Sequence, residues 1–109
     1  MTQPLDVIQG TLDLLILKAL SLESGHGWGI SARIALLSRD AFVIGQGSLY
    51  PALHRFEQRG WVASYWRATE NNRLARYYQL TTEGQRALVA EIESWRRYAS
   101  TMDLVIAEA

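Results

Sequence analysis

The chain contains no cysteine, which excludes disulfides, thiolate nucleophiles and cysteine-ligated metals and fits a reducing compartment. Histidine occurs twice, at His26 and His54, with nothing in the spacing to bring the two rings together, so neither a metal site nor a cofactor is expected. A long apolar run is also missing. The stretch Leu12 to Leu22 is broken by Asp13 and Lys18 and falls short of the ~20 residues that a membrane span needs. Met1 to Asp6 carries no basic side chain, unlike a signal peptide. These absences point to a soluble, cytoplasmic protein without a membrane partner. Catalytic signatures are lacking as well. The glycines of Gly25-His26-Gly27-Trp28-Gly29 and Gly45-Gln46-Gly47 complete no dinucleotide fingerprint, follow no strand and carry no P-loop lysine. There is no Gly-x-Ser-x-Gly elbow and no nucleophile–base–acid set, so the protein is not expected to be an enzyme.

What is present is a chain of 109 residues, 49% hydrophobic and 20% charged. That suits one domain with a modest core, and dimerisation would enlarge it. Formal net charge is zero, from 11 basic and 11 acidic side chains, but the charges are unevenly placed. Residues 1–45 hold three basic and four acidic groups (−1), 46–86 hold six and three (+3), and 87–109 hold two and four (−2). Lysine occurs only at Lys18, so the basic middle is built of arginine, the side chain suited to bidentate phosphate and guanine contacts. Arginine usage set by genome composition would give the same count.

Five elements can be read in order. Thr11 to Leu22 has Leu12, Leu15, Ile16, Ala19 and Leu20 on one helical face. Leu14 and Leu17 lie off that stripe, so this helix should bury a second side against a partner chain or the last helix. A glycine-rich turn, Ser24 to Gly29, leads into a second helix from about Trp28 to Ser38 with Ile30, Ile34 and Leu37 inward. After Gly45-Gln46-Gly47, Ser48 is the expected N-cap of a third helix, which places Pro51 in its first turn and Gly60 at its C-terminal stop. Leu49, Ala52, Leu53 and Phe56 form its buried face; Tyr50, His54 and Gln58 project outward, with Pro51 and Arg55 beside them. Trp61 to Arg67 and Ala75 to Leu80 read as strands around the turn Glu70-Asn71-Asn72-Arg73, where asparagine tolerates left-handed geometry. Thr82 with Gln85 fits a capping box. In the helix that follows, Leu88, Ile92, Trp95, Ala99, Met102 and Ile106 are spaced as a heptad seam. The fold class is therefore mainly α with a small β-hairpin wing: a winged helix-turn-helix domain over residues 1–81 and a C-terminal dimerisation helix over 82–109, forming one compact unit.

At Gly45-Gln46-Gly47-Ser48-Leu49-Tyr50-Pro51-Ala52-Leu53-His54-Arg55 the sequence closely resembles the PadR-like transcriptional regulators, especially the compact subfamily with a single C-terminal helix. Gly10 to Leu17, His26-Gly27-Trp28-Gly29-Ile30, Glu70 to Arg73, Ala75 to Tyr78 and Leu80 to Gly84 extend the likeness at family spacing over nearly the whole chain. Trp28 and Phe56 stand where the family more often has Tyr and Leu. The resemblance implies a homodimeric regulator, usually a repressor, that releases its operator when a small aromatic or hydrophobic effector binds; a two-fold dimer in turn implies a pseudo-palindromic double-stranded operator.

On this reading the third helix enters the major groove. Tyr50, His54 and Arg55 are candidate groove contacts, Arg55 as a bidentate guanine reader, while Gln46 and Ser48 offer phosphate contacts at the helix start. Asn71, Asn72 and Arg73 at the wing tip, with Arg76 behind them, suit the minor groove or its phosphates. The bland alternatives are a solvated helix face and an ordinary surface turn in which Arg76 pairs with Glu70. Dimerisation is assigned to Leu14, Leu17, Leu88, Ile92, Trp95, Ala99, Met102 and Ile106. Trp95 is either seam packing or, where two subunits leave a gap, a flat stacking surface for the effector. The competing function is a dimeric ligand-sensing or interaction module with only weak, non-specific DNA affinity.

Overall fold

The apolar periodicities translate into helices, and the aromatic and β-branched runs into strands, in the expected order. The computed structural model describes residues 4–8 and 10–108. Along the chain lie α1 (Leu12–Leu22), β1 (Gly25–His26), α2 (Gly27–Leu37), α3 (Gln46–Gln58), β2 (Val62–Ala68), β3 (Leu74–Leu80) and α4 (Thr82–Ala107). The three strands form one antiparallel sheet in the order β1-β3-β2. This is the winged helix-turn-helix arrangement with an added C-terminal helix. β1 falls within the stretch expected to be only a turn; a two-residue strand is too short to show alternation. It pairs Gly25 with Tyr78 and His26 with Tyr77.

Phe56, Ile16, Leu17, Ile30, Leu49 and Leu53 are the largest fully buried side chains, each contributing about 1.5–3 kcal/mol by leaving water. They join α1, α2 and α3 into one core, on which Val62, Tyr78 and Leu88 close from the sheet and α4. Two expectations about facing are corrected here. Leu37 is 57% exposed rather than inward, because α2 buries the Ile30–Ile34 side. Leu17, expected to meet a partner chain, is fully buried within its own protomer, since α1 is covered by α2, β3 and α4 together.

The connection between α2 and α3 is tightly reversed. The Ser38 N–H donates to the Ile34 carbonyl at 3.0 Å, and the Ser38 hydroxyl accepts from the Phe42 N–H at 2.9 Å. Arg39 and Asp40 both adopt left-handed conformations, φ 53° and 64°, a cost that the surrounding bonds must offset. Arg33 of α2 donates to the carbonyls of Ala19 and Glu23, each at 2.8 Å, satisfying orphan acceptors at the end of α1.

Two cap positions differ from expectation. α3 begins at Gln46 with Gly45 as its N-cap, three residues before the start that a Ser48 cap would give. Pro51 is therefore in the helix interior, and the carbonyl deprived of its i+4 donor is that of Gly47, an exposed residue open to solvent. α4 is capped by Thr81, not Thr82. The Thr81 hydroxyl accepts from the Gly84 N–H at 3.1 Å and donates to the Gly60 carbonyl at 2.6 Å. This puts Gly84 rather than Gln85 at the third helical position, so the reciprocal bond of a capping box does not form. Gly84 is required by close approach: a Cβ there would collide with the Trp61 carbonyl and lie 2.7 Å from Leu80 Cδ1.

The hairpin register runs from Val62↔Leu80 to Ala68↔Leu74. Residues directly opposite share a face. One face carries Val62, Ser64, Trp66, Ala68, Leu74, Arg76, Tyr78 and Leu80, and its base packs on the core beside α3. On the other, Tyr65 stacks on Tyr77 at 5.8 Å between ring centroids, with the Arg67 guanidinium 5.4 Å from the Tyr77 centroid.

Candidate nucleic-acid interface

α3 is divided by its own periodicity. Leu49, Ala52, Leu53 and Phe56 are fully buried, which fixes the rotation of the helix and leaves Ser48, Tyr50, Pro51, His54 and Gln58 exposed on the opposite side. The start of the helix is held against α2. Gln46 Nε2 donates to the Ser31 hydroxyl at 3.1 Å, so Gln46 is half-buried rather than free. The Tyr50 ring lies over Gly27, where a Cβ would strike the phenol oxygen; glycine at the start of α2 is what lets α3 approach this closely. His26 caps α2, with its Nδ1 accepting from the Gly29 N–H at 3.0 Å, and its ring meets Tyr77 edge-on at 5.1 Å.

Two expected DNA-contacting arginines are instead tied to protein carboxylates. Arg55 Nη2 lies 2.7 Å from Asp13 Oδ1 on α1, so its guanidinium braces α3 against the first helix instead of pointing with Tyr50 and His54. Arg76 donates from Nη2 to Glu57 Oε2 at 2.7 Å and from Nε to the Ser64 hydroxyl at 3.0 Å. Its acidic partner is Glu57 of α3, not Glu70 of the turn. The Ser64 hydroxyl also donates to Glu57 Oε2 at 2.6 Å. This three-residue network joins α3 to the wing. The Ser64 hydrogen bond, with the Arg76 charge behind it, holds the Glu57 carboxyl below its ordinary range despite partial desolvation. Burial pushes the neighbouring Tyr78 phenol up. Neither Asp13 nor Glu57 was anticipated as a partner. They lie 42 and 19 residues from their arginines, and no local pattern signals pairs so distant.

The wing tip follows the expectation from its asparagines. Asn72 is left-handed at φ 60°, its N–H donates to the Thr69 carbonyl at 2.9 Å, and the Thr69 N–H donates to the Arg73 carbonyl at 2.7 Å. Asn71, Asn72 and Arg73 are all exposed, and Arg73 pairs with no acid among the described residues.

The seam residues divide into two groups. Leu88, like Leu17, is buried in the chain's own core, where α4 packs on α1, and it has little surface left for a second copy. Ile92 packs on the edge of that core. Beyond it Trp95, Met102 and Ile106 are exposed and Ala99 is half-buried. Trp95 stacks on Tyr98 at 6.2 Å. It also closes a cleft of about 420 Å³ whose apolar walls are Leu5, Ile8, Leu14, Leu15 and Phe42. The Leu5 N–H donates to the Ala41 carbonyl at 2.7 Å, pinning the N-terminal arm to the helix-turn-helix unit. Among the described residues no three His, Asp or Glu side chains gather where a metal ion could be held, and no helix is long and apolar enough to cross a membrane.

The family model for the transcriptional regulator PadR-like family matches residues 16–90, which span α1 through the first turns of α4. The chain belongs to the PadR-like family. It is similar in structure to a transcriptional regulator from Clostridium thermocellum, at 30% identity and a TM-score of 0.80, covering 91% of this chain and 96% of that one. A PadR family transcription regulator from Clostridium difficile is 27% identical with a TM-score of 0.75, covering 90% and 100%. An uncharacterized protein from Lysinibacillus sphaericus is 26% identical over 99 residues, 91% of each chain. As a PadR-like regulator this chain is a DNA-binding winged-helix protein of transcription.

Proposed function

We propose that this PadR-like regulator is a repressor that binds a pseudo-palindromic operator as a homodimer and lets go when a small hydrophobic or aromatic molecule enters the cleft beside Trp95. One observation carries the DNA-binding part. The fully buried face of α3 fixes Tyr50 and His54 outward, on a helix joined to a wing whose tip presents Asn71, Asn72 and Arg73, the last paired with no acid among the described residues. In this reading Tyr50 and His54 meet base edges, Ser48 and the start of α3 meet phosphates, and the wing tip enters the adjacent minor groove. Gln46 supports the helix start through Ser31, and Arg55 and Arg76 act through Asp13 and Glu57 by setting the position of α3 and the wing.

The dimer reading rests on α4. Its last three turns expose Met102, Leu104, Val105 and Ile106 beyond the core, and an unsupported helical end of this composition is marginal in water. Trp95, Ala99, Met102 and Ile106, with Leu14 of α1, form the surface proposed to receive a second copy, so residues 82–109 serve as the dimerisation element of one compact unit. Two-fold symmetry then places the half-sites about one helical turn or a multiple apart. The cleft at Trp95 adjoins that surface, so an aromatic ligand stacking there would act on the dimer geometry that sets half-site spacing.

The test is transcription in vitro from a promoter recovered by selecting random genomic fragments on the protein. The repressor reading predicts a fall in transcript yield that planar aromatic dyes reverse, with reversal weakened by Trp95→Ala. Transcript yield unchanged by the bound protein would contradict it.

A further inference from the structure

The wing carries an apolar patch that neither the core nor the contacts assigned above explain. Trp66 is 66% exposed and Leu74 is 74% exposed. The register places them on one face of the hairpin: Trp66 opposes Arg76, and Leu74, two residues on, opposes Ala68. It is the same face whose base packs beside α3, where Ser64 and Arg76 hold Glu57. Above that network the strands run on past α3 with Trp66, Ala68 and Leu74 turned to the side on which the recognition helix lies. Leaving a Trp and a Leu together in water forfeits several kcal/mol of burial, so the patch calls for an occupant.

We propose that Trp66 and Leu74 grip the sugar–phosphate ridge of the DNA between the major groove taken by α3 and the minor groove taken by the wing tip. Trp66 lays its ring on deoxyribose C–H groups and turns its indole N–H to a phosphate, and Leu74 fills the adjoining sugar. The surrounding charge favours a nucleic acid as the occupant: with Arg76 neutralised by Glu57, the outer half of the hairpin still carries Arg67 and Arg73 against the single acid Glu70. Two side chains also fall far short of the ~800 Å² per partner of a stable protein interface. Nor is the patch an extension of the dimer helix. α4 departs from the other end of β3, about 20 Å from Leu74 at the rise of a strand. Sugar and phosphate contacts position a protein without reading sequence, so this grip fixes how deep and in which register α3 sits.

The inference rests on the DNA-binding reading above, and its test separates the two. Binding to the selected duplex is measured over a salt series for the wild-type protein, Trp66→Ala, Trp66→Phe and Arg73→Ala. Trp66→Ala is expected to weaken binding about tenfold with the salt slope unchanged, because an indole displaces no counterion; Trp66→Phe recovers most of the loss. Arg73→Ala instead flattens the slope by about 0.9 for each protomer. Acrylamide quenching, compared between wild type and Trp66→Phe, should show the Trp66 emission shielded by DNA. Trp66→Ala binding within twofold of wild type, or Trp66 emission still quenched in the complex, overturns the grip while leaving the regulator reading intact. A wild-type protein that selects no duplex removes both. Since Trp66 lies outside the core, its variants should melt within about 2 °C of wild type, and that control keeps a binding loss from being mistaken for unfolding.

Discussion

Arg55 offers the sharpest contrast between a contact with DNA and a brace within the protein. Its Nη2 lies 2.7 Å from Asp13 Oδ1, and the two side chains are 43% and 22% exposed. A pair this accessible to water is screened, so its contribution is in the range of about 0.2–1 kcal/mol; the short, charge-assisted geometry favours the upper part. Removing either partner should then lower the melting temperature by about 2–8 °C for a domain of this size. A double-mutant cycle makes the claim specific. Arg55→Ala and Asp13→Ala should each destabilise, and together they should cost less than the sum by about 0.5–1 kcal/mol, a coupling that urea melts resolve. Protein concentration must be held fixed, since a dimer gains stability by mass action. In DNA binding both single variants should keep the wild-type salt slope and lose affinity in parallel. A guanine-reading Arg55 would behave otherwise: Arg55→Ala alone would cost about 1–3 kcal/mol at one base position, and Asp13→Ala would leave both stability and binding alone. That pattern would refute the brace.

Further expectations follow from the packing. Leu17→Ala should destabilise by about 2–5 kcal/mol, as for a fully buried leucine, whereas Met102→Asp should leave the protomer's core intact and shift the protein toward monomer in sedimentation. The reverse pattern would put Leu17 back in the subunit interface. Gly84→Ala should cost about 1–3 kcal/mol by forcing α4 away from the Trp61 carbonyl, read as a lower urea midpoint. Because the folded-state Glu57 carboxyl lies below its unfolded value, its contribution is fully present above about pH 4.5 and is lost as the pH falls through the lowered value. Glu57→Gln should therefore flatten that acid limb of stability relative to wild type, and an unchanged limb would mean the network with Ser64 and Arg76 is not formed in solution.

The order of elements, the buried face of α3 and the left-handed turn at Asn72 were legible because each depends on neighbours within one turn or one strand: Leu49, Ala52, Leu53 and Phe56 repeat at helical spacing, and asparagine tolerates positive φ wherever it stands. What was not legible depends on distant partners. Helical spacing shows that Arg55 is on a flank of α3 but not that Asp13 of α1 lies beside that flank. Likewise it cannot tell that Arg76 pairs with Glu57 of α3 rather than with Glu70, which is nearer in the sequence. Leu17 and Leu88 continue apolar patterns that run on into exposed surface, and only the packing of α1 against three other elements decides where the core stops. The cap positions missed by one residue at Thr81 and three at Gly45 for a related reason. Adjacent threonines offer equal local chemistry, and the Gly60 carbonyl that Thr81 bonds is supplied by tertiary structure.

The central claim is that the exposed face of α3 reads DNA sequence. It is tested most directly by fluorescence anisotropy of the selected duplex against a scrambled one, for the wild-type protein and for a Tyr50→Ala/His54→Ala variant. The account predicts a wild-type preference of ~10³ or more that collapses in the variant while weak, salt-dependent binding to both duplexes persists. A variant that keeps the full preference would contradict it, as would a wild-type protein that binds both duplexes equally at about 10⁻⁴–10⁻⁶ M.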